Sequence, residues 1–119
     1  MGRIVRAMPL PERVAFDEPS GATDAFGGTP EAWSEVFRDR ARFLYAKGDE
    51  AVQAARNAGR YAFKVQVRAS TQTQALSTGN RMRDLRDNTA WNITEVDHRS
   101  EESRRNHTVY LVVEGPQSS

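Results

Sequence analysis

The sequence contains no cysteine and only two histidines among its 119 residues. Without cysteine there is no disulfide, thiol nucleophile or cysteine-based zinc site, so stability has to come from packing or assembly. No run of residues approaches the ~20 consecutive apolar positions of a membrane span, and the start, Met-Gly-Arg-Ile-Val-Arg, lacks the apolar core of a secretion signal. These absences predict a protein without a membrane partner that stays in the cytoplasm unless it leaves inside a particle.

Apolar side chains are also scarce. They account for 38% of the residues and the mean hydropathy is −0.71, which is below an average globular composition. A chain of this length is expected to form one domain around one core. The low apolar content therefore indicates long solvated loops, or polar surface that is buried only on assembly.

Lysine is rare as well. Fifteen arginines stand beside Lys47 and Lys64, and the net charge is +1. Arginine makes planar, bidentate contacts and is more weakly hydrated than lysine, which favours protein or phosphate interfaces. A GC-rich coding sequence would produce the same bias, so the composition leaves both explanations open.

What the sequence does contain is alternation of apolar and polar residues, which is typical of strands. Pro19 ends the first alternating run, the turn pair Asp87-Asn88 joins two others in a hairpin, and Gly115-Pro116 ends the last. The Ser/Thr/Gln-rich stretch over 70–79 is predicted to be a loop, and the charged stretch over 99–106 is predicted to be a solvated loop. The pattern predicts strands over 13–18, 61–68, 82–86, 89–98 and 107–114.

The region from 32 to 46 is ambiguous. Thr29-Pro30-Glu31 resembles the start of a helix. However, Trp33, Phe37, Phe43 and Tyr45 share one parity while Arg38, Arg40 and Arg42 share the other, as in a long strand with one buried and one basic face. We therefore favour a strand here, and expect the helix-prone segment 48–57 to be a weakly anchored excursion.

These elements predict a mainly β protein, a small β-barrel or sandwich of five to six strands with one short helix or a long excursion loop. We expect an extended N-terminal arm over 1–11, a single domain over 12–115 and a flexible tail over 116–119. The predicted core consists of Phe16, Trp33, Phe37, Phe43, Phe63, Val65, Val67, Trp91, Ile93, Val109, Leu111 and Val113.

Few residues could catalyse a reaction or bind a metal ion. His98 and His107 flank one loop near Asp97 and Glu114, so a metal-dependent enzyme with a two-histidine, one-carboxylate site is one hypothesis. No glycine-rich phosphate loop or nucleophile triad is recognisable. We expect no enzyme activity, no cofactor, and no catalytic, cofactor-binding or metal-binding residue.

Nucleic-acid binding is a second alternative. Basic residues recur through the middle of the chain, and a small barrel with aromatic side chains can bind single strands. Asp39, Asp49 and Glu50 interrupt the basic run, and the net charge is close to neutral, whereas affinity for nucleic acid grows with the number of phosphates neutralised. The basic residues in question are Arg38, Arg40, Arg42, Arg56, Arg60, Lys64 and Arg68.

In order and spacing, several short motifs together resemble the phage head–tail adaptor family, also called head-closure or stopper proteins, of siphoviruses and gene transfer agents. The similarity covers roughly residues 12 to 115. It begins with Arg-Val-Ala-Phe at 13–16, Asp-Ala-Phe-Gly-Gly at 24–28 and Glu-Ala-Trp at 31–33. It continues with Tyr-Ala-Phe-Lys-Val-Gln-Val-Arg at 61–68, Asn-Arg-Met-Arg at 80–83, Ala-Trp-Asn-Ile-Thr-Glu-Val at 90–96 and Leu-Val-Val-Glu-Gly at 111–115.

The resemblance implies a β-barrel subunit of a homo-oligomeric ring, a hexamer, in the virion neck. It would be assembled in the host cytoplasm between the portal-bound adaptor ring and the tail terminator or tail tube, with DNA passing through its lumen. A tail terminator or another neck ring is the alternative within this class. The implied channel gate, or an excursion loop that only contacts a neighbouring subunit, is Lys47, Gly48, Asp49, Glu50, Val52, Gln53, Arg56, Asn57 and Arg60. The implied subunit or ring interface is Arg3, Arg6, Arg38, Arg40, Arg42 and Arg68.

Overall fold

A computed structural model describes residues 9–20, 32–44 and 61–116. These residues form six strands and two short helices. The strands are β1 (Glu12–Ser20), β2 (Ala32–Leu44), β3 (Tyr61–Arg68), β4 (Arg81–Asp84), β5 (Thr89–Asp97) and β6 (Thr108–Gly115). The helices are α1 (Thr71–Gln74) and α2 (Glu101–Asn106). The predicted N-terminal arm over 1–11 lies largely outside the described residues, as do the excursion over 48–57 and most of the tail, and the domain boundaries stay predictions.

The six strands pair antiparallel in one sheet that closes on itself in the order β1, β2, β3, β6, β5, β4. This confirms the prediction of a mainly β fold. Closure removes the free edges along which open sheets pair with other chains. In this order β1 and β6 are three strands apart in both directions, so they lie on opposite sides of the closed sheet.

Strand alternation places the core inside the closed sheet. In the pairing of β3 with β6, Phe63 lies opposite Val113 and Val65 lies opposite Leu111. All four side chains are buried, whereas Ala62 and Lys64, on either side of Phe63 in β3, are exposed. Ten of the residues predicted for the core are buried, namely Phe16, Phe37, Phe63, Val65, Val67, Trp91, Ile93, Val109, Leu111 and Val113.

The other two predicted core residues are only partly buried. Phe43 packs against the core from its edge, with its ring centroid 5.1 Å from that of Phe63. Trp33 does not belong to the core cluster, and its ring instead lies 4.6 Å from the guanidinium carbon of Arg81. The prediction that Trp33 is a core residue is therefore wrong.

A β-bulge explains where Trp33 lies. Phe16 pairs with Phe37, but the next residue of β1, Asp17, pairs with Glu35, so Val36 is the extra residue. An extra residue reverses the inward and outward alternation of the strand. Val36 is 46% exposed. Trp33 and Glu35, which precede the bulge, therefore face outward, although they lie an even number of positions from the inward-facing Phe37. The prediction of a strand in this region is correct, but its aromatic residues do not share one face.

The two segments predicted as loops each contain one of the helices, so the loop prediction is wrong over Thr71–Gln74 and Glu101–Asn106. The prediction that 99–106 is solvated is confirmed, since most of its residues are exposed. Ser70 caps α1, where its hydroxyl accepts a hydrogen bond from the Thr73 amide at 3.0 Å. Ser100 caps α2 in the same way through the Ser103 amide at 3.1 Å. Such caps satisfy amides at helix starts that have no partner within the helix. The buried hydroxyl of Ser103 also donates to the backbone carbonyl of Thr108, which attaches α2 to β6.

Candidate functional site

The outer face of β1, β2 and β4 carries a connected group of charged side chains. We call it the ionic cluster and define it as Asp17, Glu35, Arg38, Arg81 and Arg83. Asp17 is its most buried member, with 1% of its surface exposed. It follows the inward-facing Phe16 in β1 and points outward between the neighbouring strands β2 and β4.

Two arginines of β4 neutralise Asp17. Arg81 donates from Nε to Asp17 Oδ2 at 2.8 Å. Arg83 donates from Nε to the same oxygen and from Nη2 to Oδ1, both at 3.2 Å. Arg81 and Arg83 share a face because residues two apart in a strand point the same way. The bidentate contact of Arg83 is the geometry in which arginine binds carboxylates most strongly.

The ionic cluster extends onto β2 through Glu35, which the bulge turns outward. Arg83 Nη2 donates to Glu35 Oε1 at 2.8 Å, and Arg38 Nε donates to Glu35 Oε2 at 3.0 Å. Arg83 thus connects the acids of two strands. The cluster holds β1, β2 and β4 together on the outside of the sheet, above Ala15, which is fully buried.

The arginines also determine the proton affinity of these acids. Burial alone would raise the pKa of Asp17, but the hydrogen bonds and positive charges of Arg83 and Arg81 outweigh it, so the pKa lies below its usual 3.8. Hydrogen bonds from Arg38 and Arg83 likewise lower the pKa of Glu35. Both acids are therefore ionised in the folded protein at neutral pH.

We predict that the protein loses stability in acid partly through Asp17. Because the pKa of Asp17 is lower in the folded than in the unfolded chain, its contribution is complete well above 3.8 and is lost as the pH falls below about 4 towards the folded value. Urea unfolding at pH 7 and at pH 3 measures this loss. Asp17→Asn should show a smaller decrease between the two pH values than the wild type, and an equal decrease in both proteins would contradict the prediction.

Beside the ionic cluster lies a solvent-open groove of about 540 Å³, lined by Arg13, Arg38, Asp39, Arg40 and Leu85. Arg13 and Arg40 are directly opposite each other in the pairing of β1 with β2. Asp39 uses Oδ1 to accept a hydrogen bond from the Arg40 amide at 2.8 Å. Among the described residues no carboxylate forms an ion pair with Arg13 or Arg40, so both guanidinium groups are available for an acidic partner.

The opposite side of the sheet, formed by β5 and β6, carries acids. Glu95 pairs with Val112, and Asp97 pairs with Tyr110. Asp97 accepts hydrogen bonds from the amides of Ser100 and Arg99 at 2.9 and 3.1 Å, and the hydrogen bonds of Ser100 are the main reason that its pKa is lowered. We call Glu95, Asp97 and Glu114 the acidic face.

Lys64 and α2 border the acidic face at Tyr110. The ammonium group of Lys64 lies 4.6 Å from the centroid of the Tyr110 ring. The Tyr110 hydroxyl is 3.2 Å from Asn106 Nδ2, which donates to it, and 3.4 Å from Gln66 Nε2. β6 has apolar or aromatic residues on both faces. These contacts shield the outward-facing side chains near the start of the strand from solvent.

The described residues hold four of the predicted interface residues. Arg38, Arg40, Arg42 and Arg68 are all exposed, and the first three lie together on β2. Arg3 and Arg6 lie outside the described residues, as do all nine predicted gate residues, Lys47, Gly48, Asp49, Glu50, Val52, Gln53, Arg56, Asn57 and Arg60. Their roles stay predictions.

The sequence interpretation missed Arg13, Asp17, Glu35, Arg81 and Arg83 as functional candidates. Asp17 had a detectable signal, since it directly follows three apolar residues, Val14, Ala15 and Phe16. Arg81 and Arg83 likewise flank the apolar Met82. That these charges meet depends on β1 pairing with β4, about sixty-five residues later in the chain, which no local pattern specifies.

The metal hypothesis finds no support in the geometry. His107 ends α2 in a left-handed conformation with φ 54°. Within residues 9–20, 32–44 and 61–116, no three histidine or acidic side chains are grouped so that they could hold a metal ion. None of the helices in this part of the chain is long and apolar enough to cross a membrane.

Comparison with known proteins identifies the family. The family described as phage head completion protein matches residues 5–115, which span the whole closed sheet. A comparison with curated proteins gives no match. The similarity found in the short motifs of the sequence agrees with the family match. The chain therefore belongs to the phage head completion proteins, structural components of the virion that act at the head during particle assembly.

Proposed function

We propose that the protein is the stopper of the virion neck, a ring of identical subunits between the portal-bound adaptor and the tail. The ring closes the channel after DNA packaging and provides the surface on which the tail docks. The observation that carries this proposal is the family match over residues 5–115. A closed sheet with charged outer faces supports it, because such a body can repeat around a ring without exposing sheet edges.

The free arginines of the groove support a role in docking. Arg13 and Arg40 present two guanidinium groups on adjacent strands, and arginine binds carboxylates with specific geometry. Phosphates are bound in the same way, but Asp39 lies in the groove and the net charge of the chain is only +1. Affinity for DNA requires the neutralisation of several phosphates. Contact with DNA in the lumen is thus transient and independent of base sequence.

Removing the gene tests the proposal. Heads assembled without the protein should package DNA, lose it again, and remain without tails, while the free tails have normal length. Electron microscopy and nuclease digestion of packaged DNA measure these properties. Heads that stay sealed and tailed without the protein would refute the proposal. Tails of uncontrolled length would instead identify the alternative, a tail terminator, because that ring stops tail growth.

The gate is tested separately. Replacing residues 47–60 with a short glycine and serine linker should leave tails attached while DNA leaks from heads before the tail docks. As a matched control, Ser77→Gly combined with Thr78→Ser, in an exposed turn of the described chain, should change neither property. If the linker variant retains DNA as well as the wild type does, residues 47–60 are not the gate.

A further inference from the structure

The outer surface of the closed sheet is divided by charge. Arg13 in β1 and Arg38, Arg40 and Arg42 in β2 are exposed, and with the groove they form what we call the basic face. The acidic face, Glu95, Asp97 and Glu114, lies on β5 and β6. In the strand order of the sheet, β1 is three strands from β6, and β2 is three strands from β5, in both directions. The two faces therefore point in opposite directions.

We propose that copies of this chain associate head to tail, with the basic face of one subunit against the acidic face of the next. A contact between two different surfaces of the same protein produces a ring when the rotation closes. The inference deepens the proposed stopper function by naming the surfaces that build its ring.

The charged groups that have no partner within the subunit favour a second copy of this chain as the binding partner. Within the described chain, the guanidinium groups of Arg13 and Arg40 and the carboxylate of Glu95 have no ion pair or side-chain hydrogen bond. Asp39, the acid of the basic face, is held by the amide of Arg40. Lys64, beside the acidic face, has its ammonium group over the ring of Tyr110, and, after the hydrogen bonds of Ser100, its positive charge also helps to lower the pKa of Asp97. The groups left available are thus the guanidinium groups of Arg13 and Arg40 on one side and the carboxylate of Glu95 on the other, which favours correctly oriented encounters between copies.

Two further basic residues near β6 lie at the end of the strand opposite to Glu114. Arg104 and Arg105 lie in the last turn of α2, directly before β6 begins at Thr108. Glu114 lies at the other end of β6, opposite Asn92 of β5. Glu95 lies between these ends, paired with Val112. The acidic face therefore extends away from α2 along β5 and β6, and Glu95 is the residue best placed to meet a guanidinium group of the next subunit.

Cysteine crosslinking tests the contact in the assembled particle. The natural chain has no cysteine, so Arg40→Cys with Glu95→Cys introduces two thiols on opposite sides of one subunit, where they cannot react within it. Oxidation of purified particles should give a ladder of covalent multimers. Each single variant should give no ladder, and neither should the control that combines Arg40→Cys with Gln72→Cys in α1. Absence of a ladder from the paired variant, with the protein present in the particles, would overturn the inference.

A charge swap gives a second, independent test. Arg40→Glu alone and Glu95→Arg alone place like charges together at the contact, and each should lower the amount of protein in particles roughly tenfold. The double variant restores the attraction and should return to within about twofold of the wild type. Single variants that incorporate normally, or a double variant no better than either, would contradict the inference.

The two tests separate this inference from the stopper function. Wild-type protein missing from purified particles would refute the stopper function alone, and crosslinking of the purified chain at high concentration would then decide the head-to-tail contact. If the wild-type protein is present in particles, and the paired-cysteine variant is also present but does not crosslink, the stopper function stands and the contact is refuted.

Discussion

Phe63→Ala should lower the free energy of unfolding by about 3 to 5 kcal/mol, because it removes the central ring of an aromatic group inside the closed sheet. Phe63 is 6% exposed. Its ring centroid lies 5.0 Å from that of Trp91, 5.1 Å from that of Phe43 and 5.4 Å from that of Tyr61. Alanine would lose these contacts and leave a cavity that rigid strands cannot fill.

Urea or thermal unfolding measures this loss. A stability of about 5 to 15 kcal/mol is usual for natural domains, so the variant is expected to be close to its unfolding threshold. Val36→Ala, at the exposed bulge residue, is the matched control and should change the free energy of unfolding by less than about 0.5 kcal/mol. Equal stability of the wild type and Phe63→Ala would show that the closed sheet does not pack around this ring.

Asp17→Asn is expected to cost about 2 to 3 kcal/mol at neutral pH, the second largest effect. The change keeps the shape of the side chain but leaves Arg81 and Arg83 without their shared negative charge, although each has only 20% of its side chain exposed. Cations held away from water without a partner are strongly destabilising. Arg83 keeps Glu35 as a partner and Arg81 keeps its contact with the ring of Trp33, which limits the loss.

Denaturant titration of Asp17→Asn against Glu18→Gln measures this effect. Glu18 is the next residue of β1 and is exposed, so its substitution should change stability by less than about 0.5 kcal/mol. Two equally stable variants would mean that the ionic cluster does not hold β1, β2 and β4 together.

Much of the fold could be predicted from residue patterns. Alternation located all six strands, because one side of each faces the core and the other faces solvent or neighbouring side chains. The aromatic residues of β2 were misassigned at Trp33, since a bulge shifts the alternation and nothing in the sequence around Val36 announces it. The two helices were missed because they are short and are held by serine caps and by hydrogen bonds to strand ends, from Thr73 to Arg68 of β3 and from Ser103 to Thr108 of β6, not by an apolar stripe.

The candidate site was less predictable than the fold. Arg38, Arg40 and Arg42 were recognised as one basic face because they alternate within a single strand. The ionic cluster was not, because its members come from three strands that meet only when the sheet closes. The division of the surface into a basic and an acidic face also depends on the strand order, which places β1 opposite β6.

Opposite charged faces give a physical reason why a chain of low apolar content can act in a large assembly. Contacts based on paired arginines and carboxylates need little apolar surface, and like charges repel subunits that approach in the wrong orientation. Association through such faces also weakens as salt rises, because exposed charges are screened. With the proposed head-to-tail contact, we expect the isolated subunit to stay separate until the particle supplies further contacts.

An electron-microscopy map of the particle neck, at a resolution that shows strands, tests the stopper function most directly. We expect a ring of six-stranded closed subunits between the portal-bound adaptor and the tail, with the outer face of β1 and β2 of each copy against β5 and β6 of the next. A neck that contains no such ring, or this chain located elsewhere in the particle, would contradict it.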